Sequence, residues 1–460
     1  MIFWLFLFYN DEKAEMINKT IVLAGLAFIH FTAAAQECKP FLGSKTLYKP
    51  QQQKYSPAPP DYLPVFINHV GRHGARHVTK DVNSSYLYQL LLQADSLGGL
   101  LADGRLLKEK VLRLEKLEKK NFKSISMQGE KEQQGLAARM HANYSNVFNR
   151  AQTKIDIAYT KEIRTLQTSD AFLSGLAKKV TNPLVFRHPN DTTLRFYDLS
   201  PAYLAFKETG GWVPYMQRLK TAVKYNELAG NITRQFFTSS FLKNITVPER
   251  EKFTADLFGF ICIYYSLKSE VSTAGYNAGD VSMRSFLTCS QLSILEEIDN
   301  AEDFFEKGPG IAVDGIQVKI AVPLLADFIR TTDAFIRSEP VDLQLRFAHA
   351  ETISPYAALL GLTHAAQPTK NVKDIQRVWN AAEIIPLSSN IQWILYKNKN
   401  GKDYLIKFLL NEKEAAVRGL TTKTFPYYNW TEVRAFYLKK LQGFNATPET
   451  DYIKYLEETK

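Results

Sequence analysis

The sequence predicts an α/β sheet domain interrupted by a helical insertion. Three observations lead there. Strand-like runs alternate with helical patterns at both ends of the chain, and the middle is helix-rich and aromatic. The 460 residues, 45% hydrophobic and 12% aromatic, also suffice for a large core.

Residues 1–35 stand apart from the fold. "MINKTIVLAGLAFIHFTAAA" (16–35) has a lysine, a short apolar run and a small-residue ending. That is the form of a secretory signal peptide cleaved after Ala35. The preceding "MIFWLFLFYNDEKAE" reads as an upstream start-codon artefact. The Ala35-Gln36-Glu37-Cys38 junction lacks the small residue expected before a lipid-modified cysteine. No window carries the roughly 18 uninterrupted apolar residues of a membrane span.

Residues 39–63 are Pro- and Gln-rich and read as extended. A strand at 64–70 runs into "GRHGARHVTK" (71–80), and helical patterns follow at about 84–98, 105–120 and 128–150. In the second of these, Glu109, Glu115 and Glu118 interleave the lysines while Val111, Leu114 and Leu117 recur at helical spacing. It reads as a solvated amphipathic helix rather than a nucleic-acid patch. A strand at 153–159 leads through a loop into the helical "TKEIRTLQTSDAFLSGL" (160–176). Helices are expected across 195–305, a turn cluster at 305–315, a helix at 316–336 and a strand at 343–348. "HAETISPYAALLGL" (349–362) then reads as a loop entering a helix, and "IQWILYK" and "YLIKFLL" as strands joined by "NKNGKD". The division expected is a leader (1–35), an α/β core in two parts (36–189 and 313–460) and an α-helical insertion (190–312).

The net charge of +10 becomes about +11 once the leader's two lysines and three acids are removed. A basic exported protein favours anionic partners, whether nucleic acid, membrane or phosphorylated small molecules. Cys38, Cys262 and Cys289 are the only cysteines. A Cys262–Cys289 bridge with Cys38 free is one expectation, and their spacing is not that of a zinc site. So few cysteines favour a bacterial periplasmic or secreted location over a eukaryotic secretory one.

Three short stretches carry chemistry. In "RHGAR", Arg72 and Arg76 are permanent cations whose planar forks match phosphate oxygens. His73 between them can serve as nucleophile, acid or base, and Gly74 permits a sharp turn and close approach. A solvated basic turn is the plain alternative. In "HAE", His349 and Glu351 would project together from a strand end, because residues two apart in extended chain point the same way. Alone, this pair reads better as a core histidine and a helix N-terminal glutamate. Arg164, between a strand and a helix, would by itself cap or pair at the surface.

Together these stretches resemble the histidine acid phosphatase family, whose motif is Arg-His-Gly-x-Arg-x-Pro after the first strand. It is followed by an Arg-Thr segment ending in Phe-x-x-Gly-Leu and later by His-Asp or His-Ala-Glu. Here these are Arg72 to Val78, Arg164-Thr165 running to Phe172-Leu173-Ser174-Gly175-Leu176, and His349-Ala350-Glu351. Val78 stands where the family has proline. The His-Ala-Glu form, with "FLGSKTLY" (41–48), "KGPG" (307–310), "SNIQWILY" (389–396) and "FLLNE" (408–412), is similar to the multiple inositol polyphosphate phosphatase branch.

The resemblance implies a mixed sheet flanked by helices with an inserted, mostly α-helical domain. It implies a phosphatase acting on inositol polyphosphates such as phytate. His73 would be the nucleophile and Glu351 the proton donor. Arg72, Arg76, Arg164 and His349 would hold the phosphate, and Thr79 and Lys80 would contact substrate. No cofactor or metal is implied, because the arginines supply the positive charge. The competing readings are a broad acid or sugar phosphatase of the same superfamily, a non-catalytic phosphate binder and a nucleic-acid-binding protein. His73 and Glu351 together argue against mere binding, and no aromatic-basic interleaving supports the last.

Overall fold

The computed structural model describes residues 38–177 and 179–459. The expected signal peptide and start-codon artefact lie outside them. Met1–Pro40 is set apart as its own unit, of which residues 38–40 are described and carry no helix or strand.

Within Phe41–Lys460, eight strands form one mixed sheet. They are β1 (Tyr62–Arg72), β2 (Lys154–Tyr159), β3 (Leu184–Pro189), β4 (Leu343–Ala348), β5 (Asn390–Asn398), β6 (Tyr404–Leu410), β7 (Lys413–Glu414) and β8 (Tyr427–Asn429). The order is β3-β2-β4-β1-β5-β6-β7, with β8 also on β6. The half from β3 to β1 is parallel, and β5 to β8 pair antiparallel. All five expected strands form. β3 was not expected: it is an edge strand with mostly exposed side chains, and its three-residue apolar start, Leu184-Val185-Phe186, neither alternates nor extends far enough to mark a strand.

The principal helices are α1 (Tyr86–Ser96), α2 (Ala102–Glu118), α3 (Met127–Asn143), α4 (Ile163–Ala177), α5 (Tyr225–Phe236), α6 (Val247–Tyr264), α7 (Cys289–Glu306), α8 (Val322–Ser338), α9 (Ala350–Leu360) and α10 (Trp430–Gly443). Their starts are chemically marked. Ser85 and Ser126 accept from the first turns of α1 and α3, and Thr246/Glu249 and Thr288/Gln291 form capping boxes on α6 and α7. The expected helix at 316–336 is broken into Ile316–Lys319 and α8. Pro323, in the first turn of α8, lacks the N–H needed to continue from the preceding turn.

Side chains alternate between the two faces of the sheet. Ile67, Ile155, Ile157, Leu343, Leu345 and Ile394 pack with α3 and α4 through Leu136, Met140 and Phe172. Phe66, Val70, Trp393 and Phe408 pack on the other face with α8, α9 and α10. One buried ion pair ties this face together: Arg346 on β4 donates to Asp327 on α8 at 2.7 Å and to Asn68 on β1 at 2.6 Å. Removing one partner of such a pair costs about 3–5 kcal/mol.

Two expectations are corrected here. Cys262 is a free buried thiol, whereas Cys38 and Cys289 are disulfide-bonded, so no Cys262–Cys289 bridge forms. The polar face of α2 is only partly solvated, because Glu118 and Lys110 are buried. Among the described residues no helix is long and apolar enough to cross a membrane.

Candidate active site

Three neighbouring parallel strands, β2, β4 and β1, end at one place. Carboxyl ends of parallel strands are where open α/β sheets gather ligands. β1 delivers Arg72 and the loop after it, β4 delivers His349, and β2 leads through Thr160 to Arg164 in the first turn of α4. Backbone bonds lock the junction: Arg72 N–H to Ser389 O at 2.7 Å, His73 N–H to Ala348 O at 2.9 Å, and Ser388 N–H to His73 O at 3.0 Å.

His73 is buried, and its Nδ1 lies 2.9 Å from the carbonyl oxygen of Gly74. A carbonyl only accepts, so Nδ1 carries the proton. Burial pushes the imidazole pKa well below its usual value, and the charges of Arg72, Arg164 and Arg76 push it further. The ring is therefore neutral, with its lone pair on Nε2.

Arg72 donates to the Ser44 and Ile385 carbonyls. The Nε groups of Arg72 and Arg164 are buried with no hydrogen-bond partner. Two unpaired guanidinium donors beside a neutral imidazole fit an oxyanion. Arg76 donates to His77 O at 2.8 Å, and its own pKa is drawn down to about 9 by burial and by Arg72 and Arg164.

His349 is the N-cap of α9, and its ring packs edge-on to His73 at 5.6 Å between centroids. Arg164 Nη2 donates to His349 Nδ1 at 3.2 Å, so Nε2 carries the proton and donates to Thr160 Oγ1 at 3.0 Å. Arg164 is braced in turn by Glu162 at 2.7 Å. Glu351 lies in the first turn of α9, so it does not share a strand face with His349 as expected, because the chain leaves the strand at Ala348. It nevertheless reaches the cluster, near enough to Arg72 and Arg76 to raise their proton affinities. Its side chain, 34% exposed, pairs with Lys307 at 3.4 Å.

Six of the expected residues thus converge: Arg72, His73, Arg76, Arg164, His349 and Glu351. Thr79 and Lys80 follow Arg76 along the chain and line a cavity of about 560 Å³ together with Lys45, Lys252, Asp81 and Asp256, a cavity that none of the six lines. Among the described residues no group of three or more His, Cys, Asp or Glu side chains could hold a metal ion.

Two buried carboxylates holding the loop were not singled out from the sequence. Glu118 accepts from His77 Nδ1 and from the N–H of Val78, both at 2.8 Å. A proline at 78 would have no N–H to give. Glu132 on α3 accepts from Ala75 N–H at 3.0 Å, Tyr48 N–H at 3.2 Å and Ser388 Oγ at 2.7 Å. Gly74 is needed for close approach: a Cβ there would meet the Gly129 backbone at 2.8 Å. Glu132→Ala strands three buried donors, so it is expected to cost about 3–5 kcal/mol in urea unfolding and to lower kcat with it. An unchanged unfolding midpoint would contradict this.

Comparison with known proteins fits this geometry. The model of the histidine phosphatase superfamily (branch 2) matches residues 206–411. The chain is 22% identical over 322 residues to multiple inositol polyphosphate phosphatase 1 of Gallus gallus, spanning 63% of this chain and 64% of that relative's length. It is 22% identical over 470 residues to its human namesake, covering 91% and 90% of the two chains. A Bifidobacterium longum multiple inositol polyphosphate phosphatase, solved with inositol hexasulfate, superposes with a TM-score of 0.74 at 20% identity over 86% of this chain and 97% of that one. At that identity the likeness shows the fold.

Proposed function

We propose that the chain is a member of branch 2 of the histidine phosphatase superfamily and that it hydrolyses inositol polyphosphates, phytate included, through a phosphohistidine. The observation that carries this is the neutral His73 ring, its Nδ1–H fixed on Gly74 O, among three arginines. Nε2 of His73 attacks phosphorus in line with the leaving inositol oxygen. Arg72, Arg76 and Arg164 take up the equatorial oxygens and the developing charge, with His349 orienting Arg164. Glu351 protonates the leaving oxygen, and water then releases phosphate from His73.

Lys45, Lys80 and Lys252, in the cavity beyond the Arg76 loop that Asp81 and Asp256 also line, support a substrate bearing several phosphates, of which one is cut and others are held. Thr79 contributes a hydroxyl to the same cavity. In this reading the helical segment 190–312, which contains α5, α6 and α7, roofs the site and sets substrate choice. Residues 1–35 direct export to the periplasm or beyond, with no nucleic-acid partner and no stable membrane insertion.

The test is release of phosphate from inositol hexakisphosphate by the purified protein, with the inositol products identified. Hydrolysis of simple phosphomonoesters with none of the hexakisphosphate would favour a broad acid or sugar phosphatase. Because arginines supply the positive charge, EDTA is expected to leave the rate within about twofold of the untreated enzyme. Loss of activity restored by Mg²⁺ or Zn²⁺ would contradict the mechanism.

A further inference from the structure

A proton donor must carry a proton, yet Glu351 is held as a carboxylate. Lys307, the residue after α7, places Nζ 3.4 Å from its Oε1 and 2.8 Å from Asp303 Oδ1. Lys307 is itself only 12% exposed, and the carboxylates of Asp303 and Glu306 in the last turn of α7 hold its ammonium protonated against burial. Glu351 also lies within electrostatic reach of Arg72, Arg76, Tyr197 and Tyr203, and two residues along the chain from the neutral His349 ring. Burial alone would push the Glu351 carboxyl up. Lys307 first, with Arg72 adding to it, outweighs that and holds it well below the usual carboxylate range.

We propose that Lys307 is the positioning residue that keeps Glu351 ionised in the empty site and releases it when a phosphate ester enters, passing its own charge to the phosphate oxygens. This rests on the reading of the site as a phosphomonoesterase. A phosphate adds negative charge to the group of cations that now steadies the carboxylate. At a few ångström in a partly buried site, one unit charge moves a titration by about two pH units. Glu351 then takes a proton from water and gives it to the leaving inositol oxygen as the O–P bond breaks. The free carboxylate accepts the proton of the water that next attacks the phosphohistidine. Lys307 returns when phosphate leaves. The donor thus carries its proton only when there is something to protonate.

The direct test is infrared titration of the Glu351 carboxyl band, isolated by subtracting the spectrum of Glu351→Gln. In the free wild type the band should stay ionised below about pH 4. With inorganic phosphate bound it should protonate at least about one pH unit higher. Lys307→Met should show the higher titration without phosphate, and Lys307→Arg should behave as wild type. The basic limb of kcat/KM should shift upward by about one pH unit in Lys307→Met, with KM raised about tenfold. A titration that ignores both phosphate and Lys307 would overturn the proposal. The comparison with and without phosphate needs only the wild-type fold, so it stands even where Lys307→Met fails to fold. Wild type that titrates as expected but leaves inositol hexakisphosphate intact would sink the substrate reading and spare this one.

Discussion

Replacing His73 with alanine is expected to lower turnover of inositol hexakisphosphate by on the order of 10⁴–10⁶-fold, because the substitution removes the atom that bonds to phosphorus. The fold should survive. The loop is held by the backbone bonds of Arg72 and His73 to Ser389 and Ala348, and by Glu132 on Ala75, none of which uses the imidazole. The lost side-chain bond is the one to Gly74 O, worth about 1 kcal/mol. Urea unfolding of the variant should therefore lie within about 1–2 kcal/mol of wild type, and inorganic phosphate should still bind to the three arginines. A variant that retains a few per cent of activity would mean that another group makes the bond.

Glu351→Gln is expected to slow the first chemical step on inositol hexakisphosphate by about 10²–10⁴-fold. An inositol alkoxide is a strong base and leaves poorly without a proton. A nitrophenolate leaves readily, so p-nitrophenyl phosphate should lose far less. Glutamine keeps the shape of the side chain but cannot give up a proton, and it also breaks the pair with Lys307. Single-turnover rates on both substrates separate these effects. A comparable loss on each would make Glu351 a group that positions phosphate, and the proton would have to come from elsewhere.

The part of this site that was legible in the sequence is the part made by neighbours along the chain. Arg72, His73 and Arg76 fall within five residues at a strand end, where their shared purpose can be read from charge and spacing. Arg164, His349 and Glu351 say little alone and gained meaning from the order of the family's motifs. The residues that hold the loop could not be found this way. Glu118 sits in a run of lysines and glutamates and looked solvated, yet the packing of α2 buries it against His77 and Val78. Glu132 and Lys307 are ordinary helix charges until α3 and the end of α7 are folded onto the strand ends. Among the sheet elements, buried strands announced themselves by apolar alternation, while the exposed edge strand β3 did not.

The central claim is that His73 carries the phosphoryl group. Acid-labile phosphate should be trapped by mixing the wild type with radiolabelled inositol hexakisphosphate and quenching in base within a single turnover. Peptide mapping should then place the label on His73, with none recovered from His73→Ala. Label on any other residue, or full hydrolysis with no labelled protein at any quench time, would contradict the account.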